Sequence, residues 1–135
     1  MTMAVTDVHE YGVLVLGLGN LCRTDDGLGV RVARELKKMK WPPEVLVLEA
    51  GTSALDYLGE IGRSRSLIAV DAVRAEGKPG TVYRFAVEEF IFPERFWCDA
   101  HCFLLPGIVA LSRRMTGLPQ RVIVYGVEPG ELGYG

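Results

Sequence analysis

Gly12-Val13-Leu14-Val15-Leu16-Gly17-Leu18 is a run of Leu, Val and Gly in which no polar residue alternates with the apolar ones. A strand with one wet face alternates, whereas a strand covered on both faces need not, so this run reads as a central strand of a largely parallel sheet. Downstream, Leu28, Val32, Leu36 and Met39 recur at near four-residue spacing, with Arg31, Arg34, Glu35 and Lys38 between them. That period predicts an amphipathic helix over 27–40 with Leu28, Val32, Leu36 and Met39 inward, ended by Pro42 and Pro43. Val45 to Leu48 predicts a second buried strand. Ser53 followed by Asp56 predicts a capping-box start for a short helix through Leu55, Leu58 and Ile61. Leu67 to Val73 predicts a third strand. Lys78, Pro79 and Gly80 form a turn into Thr81 to Val87, whose irregular alternation suits a sheet edge. A last helix is expected from Leu105 to Met115 with Pro106 in its first turn, where a missing N–H costs nothing. Arg121 to Val127 is expected to close the sheet. Strand-like and helix-like periods that exchange regularly, with no repeat or linker, mean one α/β domain.

Length and composition bound the function. The chain has 135 residues, 49% hydrophobic and 24% charged, enough for one core and too few for two. The longest apolar stretch, Cys102 to Leu111, is about half of the ~20 residues that a membrane helix needs, and Pro106 and Gly107 interrupt it. No membrane partner is expected. A net charge of −2 gives no electrostatic footprint for nucleic acid. Residues 1–11 lack the basic and apolar regions of a secretory signal and read as a flexible tail. Three cysteines, Cys22, Cys98 and Cys102, are an odd count that suits a reducing compartment, so a cytoplasmic location is expected.

Several chemistries can be tested against the motifs. Gly17-Leu-Gly19-Asn20, then Asp25-Asp26-Gly27-Leu-Gly29, invites comparison with a dinucleotide-binding fingerprint. Cys22 stands where that fingerprint needs its third glycine, and two carboxylates would face the pyrophosphate, so an anionic cofactor is disfavoured. Acids at a helix start satisfy free N–H groups and the macrodipole. Asp25 is assigned that capping role and Asp26 is left to project from the carboxyl edge of the sheet. Asp71 ends the run Leu67-Ile-Ala-Val70 at the edge where open α/β sheets bind ligands, although an Asp there also caps turns. His101, just ahead of the last helix, reaches the same edge if its crossover is right-handed.

Two carboxylates and an imidazole make an open site for a borderline divalent ion such as nickel or zinc. Cys98, His101 and Cys102 form a rival soft set that lacks a fourth protein ligand and a standard spacing. There is no Gly-x-Ser-x-Gly elbow, no His-Glu-x-x-His helix and no P-loop lysine. A receiver-like phospho-acceptor with Mg²⁺ would need a lysine at the end of the last strand, where Gly126 and Val127 stand.

Taken in order, Gly17-Leu-Gly19-Asn20 with Asp25-Asp26-Gly27-Leu-Gly29, Glu49-Ala-Gly51-Thr52, Val70-Asp71-Ala72, His101 and Gly126-Val-Glu128-Pro129 resemble the nickel–iron hydrogenase maturation endopeptidases from Val13 to about Pro129. The resemblance implies a mixed, mostly parallel, twisted five-stranded sheet with helices on both faces, of the phosphorylase/hydrolase-like kind. It implies removal of a C-terminal extension from a hydrogenase large-subunit precursor after nickel insertion. It also implies metal ligation by Asp26, Asp71 and His101, with nickel carried by the substrate, and a substrate-recognition loop at Gly51 and Thr52. Another divalent cation soaked into crystals is expected to take the same three ligands. An Asp beside a cation stays ionised and is a weak base, so direct carboxylate help and a metal-bound hydroxide both stay open as the base. A nickel-binding chaperone without catalysis would use the same ligands. Family members continue through a further helix, whereas this chain stops at Gly135, so an exposed apolar sheet surface is expected.

Overall fold

The computed structural model describes residues 10–19, 27–86, 97–98 and 100–130, and of 97–104 only the backbone. Five strands form the main sheet in the order β2-β1-β3-β6-β4: β1 Tyr11–Leu18, β2 Val45–Gly51, β3 Ser64–Arg74, β4 Val82–Ala86 and β6 Arg121–Val127. All pairings are parallel except that of β4 with β6. The opening run is thus β1, flanked by β2 and β3, and Leu14, Leu16 and Leu18 are fully buried. β4 lies at the edge, as its irregular pattern predicts. β6, expected to close the sheet, instead lies inside it between β3 and β4. Its buried Val122 and Val124 are the reason: a strand with one side at the rim would leave that apolar pair less covered.

Helices cover both faces. On one, a 3-10 turn at Ala54–Tyr57, α2 Leu58–Ile61 and α3 Ala100–Thr116 pack with Leu14, Leu16, Leu67, Ala69, Val122 and Val124. On the other lies α1, Leu28–Lys37. Its buried residues are Gly29, Val30 and Ala33, not the predicted set; Val32 and Leu36 are partly buried and Met39 is exposed. The helix seats on its smallest side because that side allows the closest approach. A Cβ on Gly17 would collide with Gly29 O and Ala33 Cβ, and one on Gly29 would collide with Val70 O and Leu18 O.

Other ends move for local reasons. α1 stops well before Pro42: Lys38 and Met39 N–H groups turn back to Glu35 O and Leu36 O, and the Trp41 indole N–H donates to Leu36 O at 2.7 Å. Ser53 makes no side-chain cap; its carbonyl accepts the Asp56 N–H at 2.9 Å, closing a 3-10 turn. α3 begins five residues before the predicted start, so Pro106 is inside it and one i→i−4 bond is lost. Buried Leu105, Ile108 and Val109 hold that helix on the sheet regardless. No helix among the described residues is long and apolar enough to cross a membrane.

Beside α1 the second face stays open among the described residues. A groove of about 550 Å³ is lined by Val32 and Leu36 of α1, Ile68 and Val70 of β3, Tyr125 and Val127 of β6, and neighbouring apolar side chains.

Candidate functional site

β1, β2, β3 and β6 run in one direction, so their carboxyl ends share a rim. At that rim β1 and β2 slip register between Gly17 and Leu18, and the Gly19 N–H donates to Gly51 O at 3.0 Å. Gly19 and Gly51 have φ of 124° and 59°, values that a side chain would strain. Exposed Thr52 and Ser53 then border a groove of about 290 Å³ that also includes Gly19, Val30, Glu49 and Gly51. The loop carried over by resemblance thus stands at the rim beside the end of β1.

Glu49, in the same motif, fastens α1 to β2. Arg34 Nε and Nη2 donate to Glu49 Oε1 at 3.0 and 2.8 Å, and Lys37 Nζ approaches Oε2 at 3.3 Å. The Arg34 bonds, helped by Lys37, hold this carboxyl below its ordinary value against the opposing effect of desolvation.

α1 starts at the rim over β3. Gly27 is its N-cap with no side-chain cap bond, and the close approach of Gly29 to Val70 O puts the first turn against the residue before Asp71. Asn20, Asp25 and Asp26 lie outside the described residues.

Asp71 is fully buried although its strand continues to Arg74. The β1–β3 pairing ends at Gly17 and Val70, so Asp71 is the first β3 residue beyond its central neighbour; on the other side it pairs with Gly126. Its Oδ1 accepts the N–H of Ala72 at 2.8 Å. The loop that follows is held by another acid. Glu128 Oε1 accepts the N–H groups of Ala75 and Gly77 at 2.9 and 3.0 Å and the Tyr83 hydroxyl at 2.9 Å. Burial alone would raise the Glu128 carboxyl; the two N–H groups, the hydroxyl and the Arg74 charge outweigh it and lower it. Burial and the neighbouring carboxylate push Tyr83 up.

The stretch of β3 past Asp71 carries β5, Trp97–Cys98, with Val73 opposite Cys98 and Arg74 opposite Trp97 in antiparallel register. Only Asp99 separates β5 from α3, of which His101 is the second residue. The backbone of His101 therefore lies in the helix, not ahead of it, and close in sequence to a strand paired two residues beyond Asp71. Its side chain and those of Cys98 and Cys102 lie outside the described set. Among the described residues no three His, Cys, Asp or Glu side chains gather at one point.

The profile of the hydrogenase maturation protease family matches residues 30–134. The chain belongs to that family. Hydrogenase 2 maturation protease of Escherichia coli K12 is 31% identical over 124 residues, covering 89% of this chain and 74% of that protein. HupD, a hydrogenase expression/formation protein of Rhodobacter capsulatus, is 32% identical over 124 residues, covering 89% and 58%. A hydrogenase maturation protease relative of Methanocaldococcus jannaschii is 36% identical over 96 residues, covering 70% of this chain and 62% of that protein. In structure, the hydrogenase-maturating endopeptidase HybD of E. coli superimposes with a TM-score of 0.73 at 28% identity, over 87% of this chain and 74% of that one. HycI of Thermococcus kodakarensis gives 0.73 at 26% identity, over 90% and 76%. The hydrogenase maturation protease fold, a single α/β domain around a mixed five-stranded sheet, is thus the fold of this chain.

The role of Glu128 is not evident in the sequence, where Gly126-Val-Glu128-Pro129 stands only as a family motif. An acid directly after an apolar strand, where only exposed loops need charge, was the available signal.

Proposed function

We propose that this chain is an endopeptidase that removes the C-terminal extension of a nickel–iron hydrogenase large-subunit precursor, recognising the nickel already bound there. Family membership supports the reaction class. The observation that carries the choice of site is the buried carboxylate of Asp71, one residue past the end of the β1–β3 pairing, with β5 leading from Val73 and Arg74 to the first turn of α3 and His101.

In this reading Asp26, Asp71 and His101 complete the coordination of nickel that arrives with the substrate. Carboxylate and imidazole suit such an ion, and a protein that offers three donors leaves the substrate's own ligands in place. The precursor strand lies along Gly51 and Thr52 with its scissile bond beside the metal, oriented for attack by water. Holding both partners in line removes an entropic barrier, and the metal's charge stabilises the developing oxyanion. Burial of Asp71 keeps water from competing for its oxygens. The reaction is expected in the cytoplasm, because the odd count of three cysteines suits a reducing compartment.

The test is incubation with nickel-loaded and nickel-free precursor, with the released C-terminal peptide followed by mass spectrometry. Release from the loaded form alone is expected. Asp71→Asn should slow release at least ~100-fold, since a lost ligand costs several kcal/mol and about 1.4 kcal/mol is tenfold. Release by that variant at the native rate overturns the assignment. Nickel transfer without any peptide release would favour a chaperone.

A further inference from the structure

Gly126 and Glu128 both grip the part of β3 that outruns the sheet. That extension has lost β1 after Val70 and β6 after Ala72, yet it carries β5 on Val73 and Arg74. A free strand end of that kind would pivot about Asp71. Two contacts prevent it. Val73 packs its isopropyl group on Gly126, so closely that a Cβ there would collide with Val73 Cγ2. Beyond Arg74, the buried Glu128 takes the Ala75 and Gly77 N–H groups and the Tyr83 hydroxyl on a single oxygen. The Glu128 main chain ties the far side of the same loop, accepting from Gly80 N at 2.9 Å and donating to Thr81 O at 2.8 Å.

From this geometry we infer that Glu128 is a positioning residue: with Gly126 it clips the β3 extension in place and so fixes where the first turn of α3, with His101, stands relative to Asp71. The inference rests on the proposed site. Its physical content is leverage, because β5 and the start of α3 hang from the extension, and a shift of about 1 Å in a reacting group can cost about 100-fold in rate. One charged acceptor serving three donors is also a demanding arrangement. A carboxylate oxygen meets it better than a neutral amide, whose carbonyl carries less charge.

The experiment compares the wild type with Glu128→Ala, Glu128→Gln and Tyr83→Phe. Each is first checked for a cooperative thermal transition, and Tyr83→Phe, which removes one donor of three, serves if Glu128→Ala does not fold. With nickel-loaded precursor, Glu128→Ala is expected to lose at least ~10-fold in kcat with KM changed less than ~3-fold, and Glu128→Gln, which keeps the acceptor oxygen without its charge, to recover only part of that loss. A merely structural role would lower the thermal midpoint and leave kcat per folded molecule unchanged, which would overturn the inference. A second arm needs no activity. The chain has two histidines, so its imidazole NMR spectrum has two sets of signals; removal of the clip should shift or broaden those of His101 and spare His9. Unmoved His101 signals in every variant would also overturn it. If the wild type releases no peptide while His101 still responds to Glu128, the functional reading has failed and the positioning has not.

Discussion

Single atoms set the geometry of the rim. Gly29 stands where the carbonyls of Leu18 and Val70 converge, and both obstacles are main chain, which cannot rotate away. Gly29→Ala should therefore destabilise the protein by about 1–3 kcal/mol or more, read as a lower urea midpoint at constant m-value, because α1 must lift off the sheet. A Gly80→Ala control has open space around its Cβ and loses only the ease of its φ of 90°, so it should cost less. Glu128 shows the other side of residue-scale physics. Its carboxyl is depressed on folding, so the stability it lends is present above the ordinary carboxylate value and is lost as pH falls through the lower folded value.

At the scale of elements, the attachment of α1 to β2 through Arg34, Lys37 and Glu49 is well formed but wet: the Arg34 and Glu49 side chains keep 50% and 25% of their surface. Coulomb energy at such exposure is screened, so Glu49→Gln should cost less than ~1 kcal/mol at neutral pH, and less still at high salt. Because the Glu49 carboxyl is lowered on folding, the difference between wild type and variant should shrink as pH drops below the ordinary carboxylate range. Paired urea titrations at neutral and acid pH measure this; a difference that grows toward acid would contradict it. What holds α1 is its close seat on β1 and β3, not the ion pairs.

For the molecule as a whole, the lane beside α1 that is open among the described residues dominates. Its lining is apolar, and Val82 at the β4 edge keeps 60% of its surface. Apolar patches of this kind bind hydrophobic dyes and promote association. Val82→Lys should lower dye fluorescence of the native protein and reduce self-association in light scattering, with little change in the urea midpoint, since an exposed edge valine contributes little burial. Unchanged dye binding would locate the exposed surface elsewhere.

The α/β class, the central place of β1, the edge place of β4 and the order of motifs that marks the family are all legible in the residues alone. Local patterns suffice there, because two-sided burial removes polar alternation and a strand's period is written in adjacent residues. The buried face of α1 was not legible in that way. Val32 and Leu36 carry more apolar surface than Gly29 and Ala33, and only the sheet beneath decides that closeness outweighs bulk. Likewise the insertion of β6 between β3 and β4 is a choice of partner across the chain, which no local period encodes. The start of α3 ahead of Pro106, and with it the backbone position of His101, depends on tertiary burial repaying one lost hydrogen bond. Asp71 was legible as an acid at the rim. That Glu128, 57 residues later, governs the loop after it was decided by tertiary structure alone, because parallel strands bring distant carboxyl ends to one edge.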